Sequence, residues 1–334
     1  MTLEALKNVA LKMSLPAYAA GQMADWLYRK RITSIDEMTN ITVAGRKQLS
    51  LHYEIGGYPP LEKTESADGS IKYLFSVNNG CHYVESVYIP SDERATLCVS
   101  SQIGCKMNCL FCMTGKQGFT AQLTANEMMN QIQSVPKSRN LTNIVFMGMG
   151  EPLDNIDELI KTIEILTSDY GYGWSPKRIT VSTIGILPGL KRLLDECGCH
   201  LAISLNSPYH KERLSLMPTE KAYPAESIID LLRDYDFSHQ RRLTFEYILF
   251  EGINDTEKHA GALARLLKGL ECRVNLIRFH AIPGVDLRGC HAQKMEKFRD
   301  RLNALGIIST IRMSRGEDVF AACGLLSTAK NHKK

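Results

Sequence analysis

The sequence predicts an α/β protein in which helices cover a parallel sheet, with a small helical module and a β-hairpin in front of it. Two observations support this fold class. From Arg94 onward, stretches with strand character alternate with stretches of helical periodicity, and before Arg94 the hydrophobic period changes from helical spacing to alternation. About six βα units in series form a parallel sheet, either open or closed into a complete or partial barrel. In each case ligands gather at the C-terminal ends of the strands.

The composition of the 334-residue chain excludes a disordered or fibrous protein, because 44% of the side chains are hydrophobic and 23% are charged. No run approaches the roughly 18 apolar residues that a membrane-spanning helix needs. Met1–Lys12 also lacks the basic start, apolar core and cleavage site of a secretory signal. We therefore expect a cytoplasmic protein without a membrane partner. The net charge of +4 permits an acidic partner but does not demand one.

The first part of the chain, from Leu3 to about Tyr53, has the pattern of short helices. Basic residues stand at positions 29–31 and 46–47. They fit a solvated face whose cations interact with the C-terminal ends of helices, and they also fit a small module that contacts RNA. The sequence leaves both interpretations open.

A β-hairpin is predicted next. Ile71–Val77 and Cys81–Ile89 alternate apolar and polar residues, and Asn78–Gly80 between them tolerates the positive φ angles of a tight turn. Glu85 is therefore expected on the second strand of the hairpin.

Seven strands and six helices are predicted after Arg94, and Thr124 with Glu127 forms a capping box at the start of the first of these helices. The strands are expected at Thr96–Ser101, Asn143–Met147, Arg178–Ser182, His200–Leu205, Leu243–Phe250, Arg273–Phe279 and Ile307–Arg312. The helices are expected near Thr124–Gln133, Ile156–Thr167, Pro188–Glu196, Ala225–Tyr235, Thr256–Leu267 and Ala292–Leu305.

Ten cysteines are present, although a cytoplasmic chain of this length does not need disulfides to supplement its core. Cys105, Cys109 and Cys112 form a C-x3-C-x2-C motif after the first strand of the βα series. Three thiolates on one loop can hold zinc or an iron–sulfur cluster and leave one coordination position open. A structural zinc site normally has four ligands, and no fourth Cys or His lies within a few residues.

This motif, with Phe111 before the last cysteine, resembles the signature of the radical S-adenosylmethionine (SAM) superfamily. The resemblance implies a 4Fe-4S cluster on Cys105, Cys109 and Cys112, whose open iron binds the amino and carboxylate groups of SAM. An electron from the cluster would then cleave SAM to a 5′-deoxyadenosyl radical. The resemblance also implies a partial (β/α)6 TIM-like barrel of the radical SAM type, with a small N-terminal helical accessory domain and a β-hairpin extension.

Residues at the ends of later strands fit SAM binding in the same superfamily. The segment 148–152 is similar to the family's GGEP-type motif, in which Gly150 permits close approach of the backbone and Glu151 accepts from the SAM ammonium. Further candidate contacts to ribose, adenine or carboxylate are Ser182, Ser204, Leu205, Asn206 and His280. Asn206 and His280 depart from the family pattern, where these positions often carry His and Asn.

Motifs over nearly the whole chain resemble the RlmN/Cfr family of RNA adenine methyltransferases, and within it the RlmN branch. The matching stretches are 84–90, 94–102, 105–119, 147–152, 274–277, 314–318 and 321–324. Members of such a family need unusual chemistry, because carbon 2 of adenine lies between two ring nitrogens and is too electron-poor to attack the methyl group of SAM.

The resemblance implies roles for three separated residues. Cys323 would take a methyl group from one SAM and become S-methylcysteine. A radical from a second SAM would remove hydrogen from that methyl group, and the methylene radical would add to the adenine. Glu85 would accept the ring proton, and Cys98 would attack the sulfur of Cys323 in a transient disulfide that frees the methylated base. Without the family, all three would be read as ordinary strand or core residues.

We therefore expect an enzyme that methylates carbon 2 of adenosine in 23S ribosomal RNA and in tRNA. It is expected to be a monomer that receives electrons from a donor such as flavodoxin or ferredoxin. Two alternatives stay open: Cfr-type methylation of carbon 8 with the same cysteines, and an iron–sulfur RNA-binding protein without turnover. The residues Gln117–Phe119 and the segment around Glu85 favour carbon 2, and the joint presence of Cys98, Cys323 and Glu85 argues against a protein that only binds.

The expected organisation has four parts. These are an N-terminal helical accessory domain (1–55) for RNA binding, a linker with the β-hairpin extension (56–93), the radical SAM core barrel (94–313) and a C-terminal segment (314–334) that carries Cys323. The remaining cysteines fall in no motif and are expected to pack or to be incidental. They are Cys81, Cys197, Cys199, Cys272 and Cys290.

Overall fold

The computed structural model describes residues 1–238 and 242–328, so the last residues of the predicted C-terminal segment lie outside it. The α-helices are α1 (Leu3–Lys12), α2 (Ala19–Ala24), α3 (Val43–His52), α4 (Met113–Gln117), α5 (Ala125–Ser134), α6 (Ile156–Thr167), α7 (Leu187–Glu196), α8 (His210–Leu216), α9 (Ala225–Arg233), α10 (Glu257–Leu266) and α11 (Ala292–Ala304). The strands are β1 (Glu62–Glu65), β2 (Ile71–Val77), β3 (His82–Pro90), β4 (Ala95–Cys98), β5 (Gln102–Gly104), β6 (Phe119–Gln122), β7 (Asn143–Phe146), β8 (Ile179–Thr183), β9 (His200–Ser204), β10 (Leu243–Leu249), β11 (Cys272–Arg278) and β12 (Ser309–Ile311).

A ten-stranded sheet with the order β1-β2-β3-β4-β7-β8-β9-β10-β11-β12 forms the centre of the molecule. From β4 to β12 all neighbouring strands are parallel, and each connection between them carries at least one helix. The middle strands are buried on both faces, as expected when helices cover a parallel sheet; Phe245 and Tyr247 of β10 are fully buried. The predicted six βα units are confirmed, and a short seventh parallel strand, β12, ends the partial barrel.

The predicted strands and helices of the barrel are present, with ends that differ by a few residues. The predicted strand Thr96–Ser101 is the largest difference, because β4 ends at Cys98. The chain then leaves the sheet, and Gln102–Gly104 pairs with β6 in a separate two-stranded hairpin. The short helices α4 and α8 and the exposed edge strand β1 were not predicted, since each is too short or too polar to show a hydrophobic period.

The predicted β-hairpin is confirmed and joins the barrel edge to edge. Asn78, Asn79 and Gly80 have φ angles of 50°, 52° and 85°, which is the turn that the sequence indicates. Strand β3 continues as an antiparallel neighbour of β4. The hairpin therefore places residues of β2 and β3 beside the first barrel strand.

The N-terminal region is helical, as predicted. α1 and α2 bury Leu6, Val9 and Met23, and a π-helical turn continues α2 from Asp25 to Lys30. The basic residue Arg31 that follows lies with its guanidinium carbon 4.7 Å from the ring centroid of a barrel tyrosine, Tyr172. No helix in residues 1–238 and 242–328 is long and apolar enough to cross a membrane.

Candidate active site

The three motif cysteines lie on a loop that the β5–β6 hairpin closes at its base. The N–H of Cys105 donates to the carbonyl oxygen of Gly118 at 2.9 Å. Gly104 has a φ of +75°, and a Cβ on it would lie 1.7 Å from that same oxygen. Only glycine fits at this position, so the close contact between the two strands depends on it.

The three thiols lie close enough to interact electrostatically. Cys105 and Cys109 are buried, and Cys112 is half-buried. Burial raises the pKa of Cys105 to about 12, and burial together with the neighbouring Cys112 and Cys105 raises the pKa of Cys109 well above its usual range. Thiols in such a place are neutral unless a cationic centre binds and displaces their protons.

This donor set fits an iron–sulfur cluster better than a single zinc ion. Thiolates that share one zinc ion lie about 4 Å apart, because each Zn–S bond is about 2.3 Å. Within the described ranges, no three His, Cys, Asp or Glu side chains converge closely enough to hold one metal ion. The three cysteines interact electrostatically, and three soft thiolates of this kind suit a cluster.

Glu151 lies beside the cysteine loop, after β7. Its carboxylate accepts hydrogen bonds from Leu153 N (3.1 Å), Thr183 Oγ1 (2.5 Å) and Ile184 N (3.0 Å). Burial raises its pKa to about 7, and these hydrogen bonds oppose the rise. The preceding Gly150 has a φ of +100°, and a Cβ on it would lie 2.5 Å from Gln102 Cβ. The carboxylate retains lone pairs for a further donor such as an ammonium.

Ser182, Ser204, Leu205 and Asn206 all lie at or just after the C-terminal ends of β8 and β9. Ser182 and Ser204 are half-buried, whereas Leu205 and Asn206 are buried. Asn206 has a left-handed φ of 59°.

The side-chain amide of Asn206 contacts protein groups at both ends. Its Oδ1 accepts from Ile248 N at 2.9 Å, and its Nδ2 donates to Met217 Sδ at 3.2 Å. The side chain therefore fixes the end of β9 to β10, and its contact with SAM stays a prediction.

His280 lies two residues after β11 and faces the C-terminal segment. Its Nε2 is 2.9 Å from Ser314 Oγ, and its Nδ1 is 3.1 Å from Glu317 Oε1. The imidazole is buried. In this arrangement His280 holds the start of the segment that leads to Cys323.

The segment around Cys323 is anchored to α4. Met113 N donates to Gly324 O at 2.8 Å, and Thr114 Oγ1 donates to Leu326 O at 2.6 Å. Gln117, at the end of α4, accepts from Thr328 N at 2.9 Å. The helix that follows Cys112 therefore carries the segment that contains Cys323.

Cys323 is exposed, whereas Cys98 is buried in β4, and both are free thiols. The two positions are 225 residues apart in sequence (323 − 98). Burial raises the pKa of Cys98 to about 12, and the charge of Cys323 raises it further. Cys323 also raises the pKa of Cys112. The fold therefore brings Cys323 into electrostatic contact with both Cys98 and the cysteine loop.

Arg312 stands next to these two thiols. Its guanidinium lowers the pKa of Cys98, and the charge of Cys323 is the main cause that raises the pKa of Arg312 itself. One guanidinium nitrogen lies 3.8 Å from Glu246 Oε2 and 3.4 Å from Met147 Sδ. Glu246 is buried in β10 and also accepts from Asn275 Nδ2 at 3.0 Å.

Glu85 is buried in β3, and its two carboxylate oxygens have different partners. Oε1 lies 3.0 Å from Lys72 Nζ, and Oε2 accepts from Ser327 N at 2.9 Å. Burial raises the pKa of Glu85, and the positive charge of Lys72 opposes this rise. Glu85 is therefore tied directly to the segment that carries Cys323.

Sequence reasoning missed Lys72, Arg312 and Arg213. Arg213 is fully buried, pairs with Glu220, and donates to the carbonyl oxygen of Leu205 at 3.0 Å. Its charge lowers the pKa of Cys109. Nothing local marks Arg213 or Arg312, because their partners come from other elements, whereas the hairpin register could have revealed Lys72.

Comparison with known proteins agrees with this geometry. The model of the Radical SAM superfamily matches residues 99–263, and that of the Ribosomal RNA large subunit methyltransferase N-terminal domain matches residues 1–55. A protein of Parabacteroides distasonis, named as a probable dual-specificity RNA methyltransferase RlmN, is 69% identical over 331 residues, which cover 99% of this chain and 96% of that protein. The chain belongs to the RlmN family.

Another relative, the dual-specificity RNA methyltransferase RlmN of Marinobacter nauticus, is 40% identical over 319 residues. The matched region covers 92% of this chain and 86% of that protein. A crystal structure of a radical SAM methyltransferase from Sphaerobacter thermophilus superposes with a TM-score of 0.90 at 38% identity, covering 98% of this chain and 97% of that one. The predicted family, fold class and enzyme class are confirmed. The chain is a radical SAM RNA methyltransferase, and the RlmN family uses a 4Fe-4S cluster and SAM.

Proposed function

We propose that this RlmN-family enzyme methylates carbon 2 of adenosine in 23S ribosomal RNA and in tRNA. The position of Cys323 carries the proposal: it interacts electrostatically with Cys98 and with Cys112 of the cysteine loop, and its segment bonds to Glu85. A protein that only binds RNA needs none of these contacts. The dual specificity in the names of its relatives supports two classes of RNA substrate.

The cofactor-binding residues are proposed as well. Cys105, Cys109 and Cys112 would hold the cluster, which supplies the electron that activates SAM when both are bound. Glu151 would accept a hydrogen bond from the SAM ammonium while the backbone at Gly150 lies close to it. The remaining proposed SAM contacts are Ser182, Ser204, Leu205, Asn206 and His280.

Cys323 is proposed to accept the methyl group. A thiolate is the reactive form of a cysteine nucleophile, and the Arg312 guanidinium interacts electrostatically with Cys323. The exposure of Cys323 leaves its sulfur accessible to both SAM and an RNA base.

Glu85 and Cys98 are proposed to complete the reaction. Once the methylene carbon of Cys323 is joined to the base, Glu85 accepts the proton from carbon 2. Cys98 then attacks the sulfur of Cys323, which breaks the sulfur–carbon bond and forms a transient disulfide. The methylene carbon keeps the bonding electrons and takes up a proton, which gives the methyl group of the released adenosine. External thiols restore both cysteines by exchange.

We also propose the setting in which the enzyme works. An RNA-modifying enzyme of this kind acts in the cytoplasm, as a monomer, with a small electron-transfer protein such as flavodoxin or ferredoxin. The requirement of the cluster for single electrons supports the choice of donor. The four-part division at residues 55, 93 and 313 is proposed as its domain organisation.

One experiment tests the proposed reaction. The cluster is reconstituted without oxygen, and the enzyme is incubated with SAM, a reductant and ribosomal RNA or tRNA that lacks the modification. We expect 2-methyladenosine on chromatography with mass spectrometry. Recovery of 8-methyladenosine alone would contradict the proposal, and a loaded cluster without any product would favour an RNA-binding protein.

A further inference from the structure

Lys72 and Glu85 form a largely buried ion pair on the hairpin. The Nζ–Oε1 distance is 3.0 Å, and only 17% of the lysine side chain and 8% of the glutamate side chain are exposed. In the described part of the chain, no second ion pair reaches either side chain. Such a pair is costly to bury, and removal of one partner leaves an uncompensated charge.

The hairpin register creates this contact. Leu74 lies opposite Glu85, and Lys72 lies opposite Val87, so Lys72 and Glu85 are diagonal neighbours on one face of the sheet. The turn at Asn78–Gly80 sets this register, and a slip by one residue would move Lys72 to the other face. The contact therefore follows from the strand pairing and does not depend on a flexible surface side chain.

The groups around Glu85 leave Lys72 as the charged neighbour of its carboxyl. From β4, Cys98 pairs with Val87, two residues along β3 from Glu85, and its thiol pKa is raised by burial. From the C-terminal segment Ser327 presents a backbone N–H to Oε2. Ser100 Oγ and Met149 Sδ contact only the backbone of Glu85. Among the described residues, Lys72 is the charged group that acts on this carboxyl.

We propose that Lys72 is a positioning residue that keeps Glu85 ionised and fixes the orientation of its carboxylate for proton abstraction from the adenine. The proposal rests on the proposed role of Glu85 as the base. In that step the carbon 2–hydrogen bond breaks, its electron pair stays in the purine ring, and the proton moves to a Glu85 oxygen. The unpaired electron that radical addition leaves on the ring would pass to a one-electron acceptor, the oxidised iron–sulfur cluster. Lys72 takes no part in this proton transfer.

The sign of the effect follows from the charges. Burial favours the protonated form of Glu85, and the Lys72 ammonium favours the carboxylate. Without the ammonium, the pKa of Glu85 rises, so the base becomes protonated at a higher pH. Proton abstraction should then fail over a pH range in which the unaltered enzyme still works.

The test compares Lys72→Met with Lys72→Arg and with Glu85→Gln. Each enzyme is reconstituted and starts with Cys323 already methylated. The rate of a single turnover is then measured at a series of pH values, on RNA that carries either hydrogen or deuterium at carbon 2 of the adenine. For Lys72→Met we expect the acidic limb of the rate profile to move up by about 1–3 pH units, the range of an opposite charge at this distance. The deuterium isotope effect and the covalent RNA–protein adduct should both increase, and Lys72→Arg should restore the original profile.

A second measurement uses the metal-free protein. The carboxyl signal of Glu85 is identified by the infrared difference spectrum against Glu85→Gln. This signal is then titrated with pH in the unaltered protein and in the Lys72→Met variant. We expect an upward shift of its midpoint in the same direction as that of the rate profile. This readout remains available if the variant takes up less cluster.

The proposed roles of Glu85 and Lys72 can be contradicted separately. Normal product from Glu85→Gln would overturn the proposed base, whatever Lys72 does. If Glu85→Gln is blocked while Lys72→Met keeps both the original pH profile and the original carboxyl titration, the role of Lys72 is wrong and that of Glu85 stands.

Discussion

Met113 donates its backbone N–H to the carbonyl oxygen of Gly324 at 2.8 Å, which joins the residue after the last loop cysteine to the residue after Cys323. The same short helix contacts the segment again through Thr114 and Gln117. A second anchor lies upstream of Cys323, where Asp318 accepts from Ser66 Oγ at 2.5 Å. The position of Cys323 is thus coupled to the fold of the cysteine loop.

Gln117→Ala should loosen this coupling. Gln117 donates to Thr328 Oγ1 and accepts from Ser327 Oγ and Thr328 N, so the variant removes three hydrogen bonds. The groups left unpaired cost about 1–3 kcal/mol. The equilibrium between the docked and undocked forms of the segment therefore shifts roughly 5- to 150-fold towards the undocked form. We expect slower methylation of Cys323, measured by mass spectrometry of the protein, and faster hydrogen exchange at Thr328.

Lys116→Ala is the matched control, because Lys116 is an exposed neighbour on the same helix. It should leave both the methylation rate and the exchange unchanged. Equal effects from the two variants would mean that α4, and not the Gln117 contacts, holds the segment.

Cys98→Ala should trap a covalent RNA–protein adduct. The carbon bridge between Cys323 and the base can form, but no thiol is then positioned to attack the sulfur of Cys323. Denaturing gels should show RNA that migrates with protein, whereas Cys199→Ala, a buried cysteine outside the site, should give free product. Free methylated RNA at the normal rate from Cys98→Ala would refute its assigned role.

Local sequence signals account for the parts of the site that lie on one element. The turn at Asn78–Gly80 predicts the hairpin, and the spacing of Cys105, Cys109 and Cys112 predicts the cluster loop, because both signals are complete within about ten residues. The Arg312–Glu246 contact joins β10 to the residue after β12, and these two strands follow different helices, so only the folded sheet reveals it. The proposed pairing of Cys98 with Cys323 rests on family resemblance and not on periodicity.

Arg312→Met should slow the release of the RNA adduct. The variant removes the guanidinium that lowers the pKa of Cys98, so a smaller fraction of this thiol is ionised at a given pH. Release should therefore recover as the pH rises, and Arg312→Lys should release adduct faster than Arg312→Met. The measurement is the decay of the covalent adduct after a single turnover, and an unchanged decay would contradict the role.

Loss of stability must be separated from this chemical effect, because Arg312→Met leaves Glu246 buried and unpaired. We expect a loss of about 3 kcal/mol in the free energy of unfolding in urea. Adding Glu246→Gln should restore most of that stability, since the buried charge is gone and the amide can still accept from Asn275 Nδ2. Adduct release should remain slow in the double variant, and restored release would assign the effect to folding alone.

Gly104→Ala should disrupt the cluster loop without touching a cysteine. A Cβ at this position would lie 1.7 Å from Gly118 O, and the φ of +75° disfavours any L side chain, so the β5–β6 contact must open. We expect most of the bound iron and the iron–sulfur absorbance to be lost after reconstitution. The free energy of unfolding of the metal-free protein should fall by about 2 kcal/mol or more.

Gly56→Ala is the control, because no atom lies within 4 Å of a Cβ there, and it should change stability by less than about 0.5 kcal/mol. Full iron content in Gly104→Ala would show that the cysteines can gather without the closed hairpin, and the strain at Gly104 would then have no part in assembling the site.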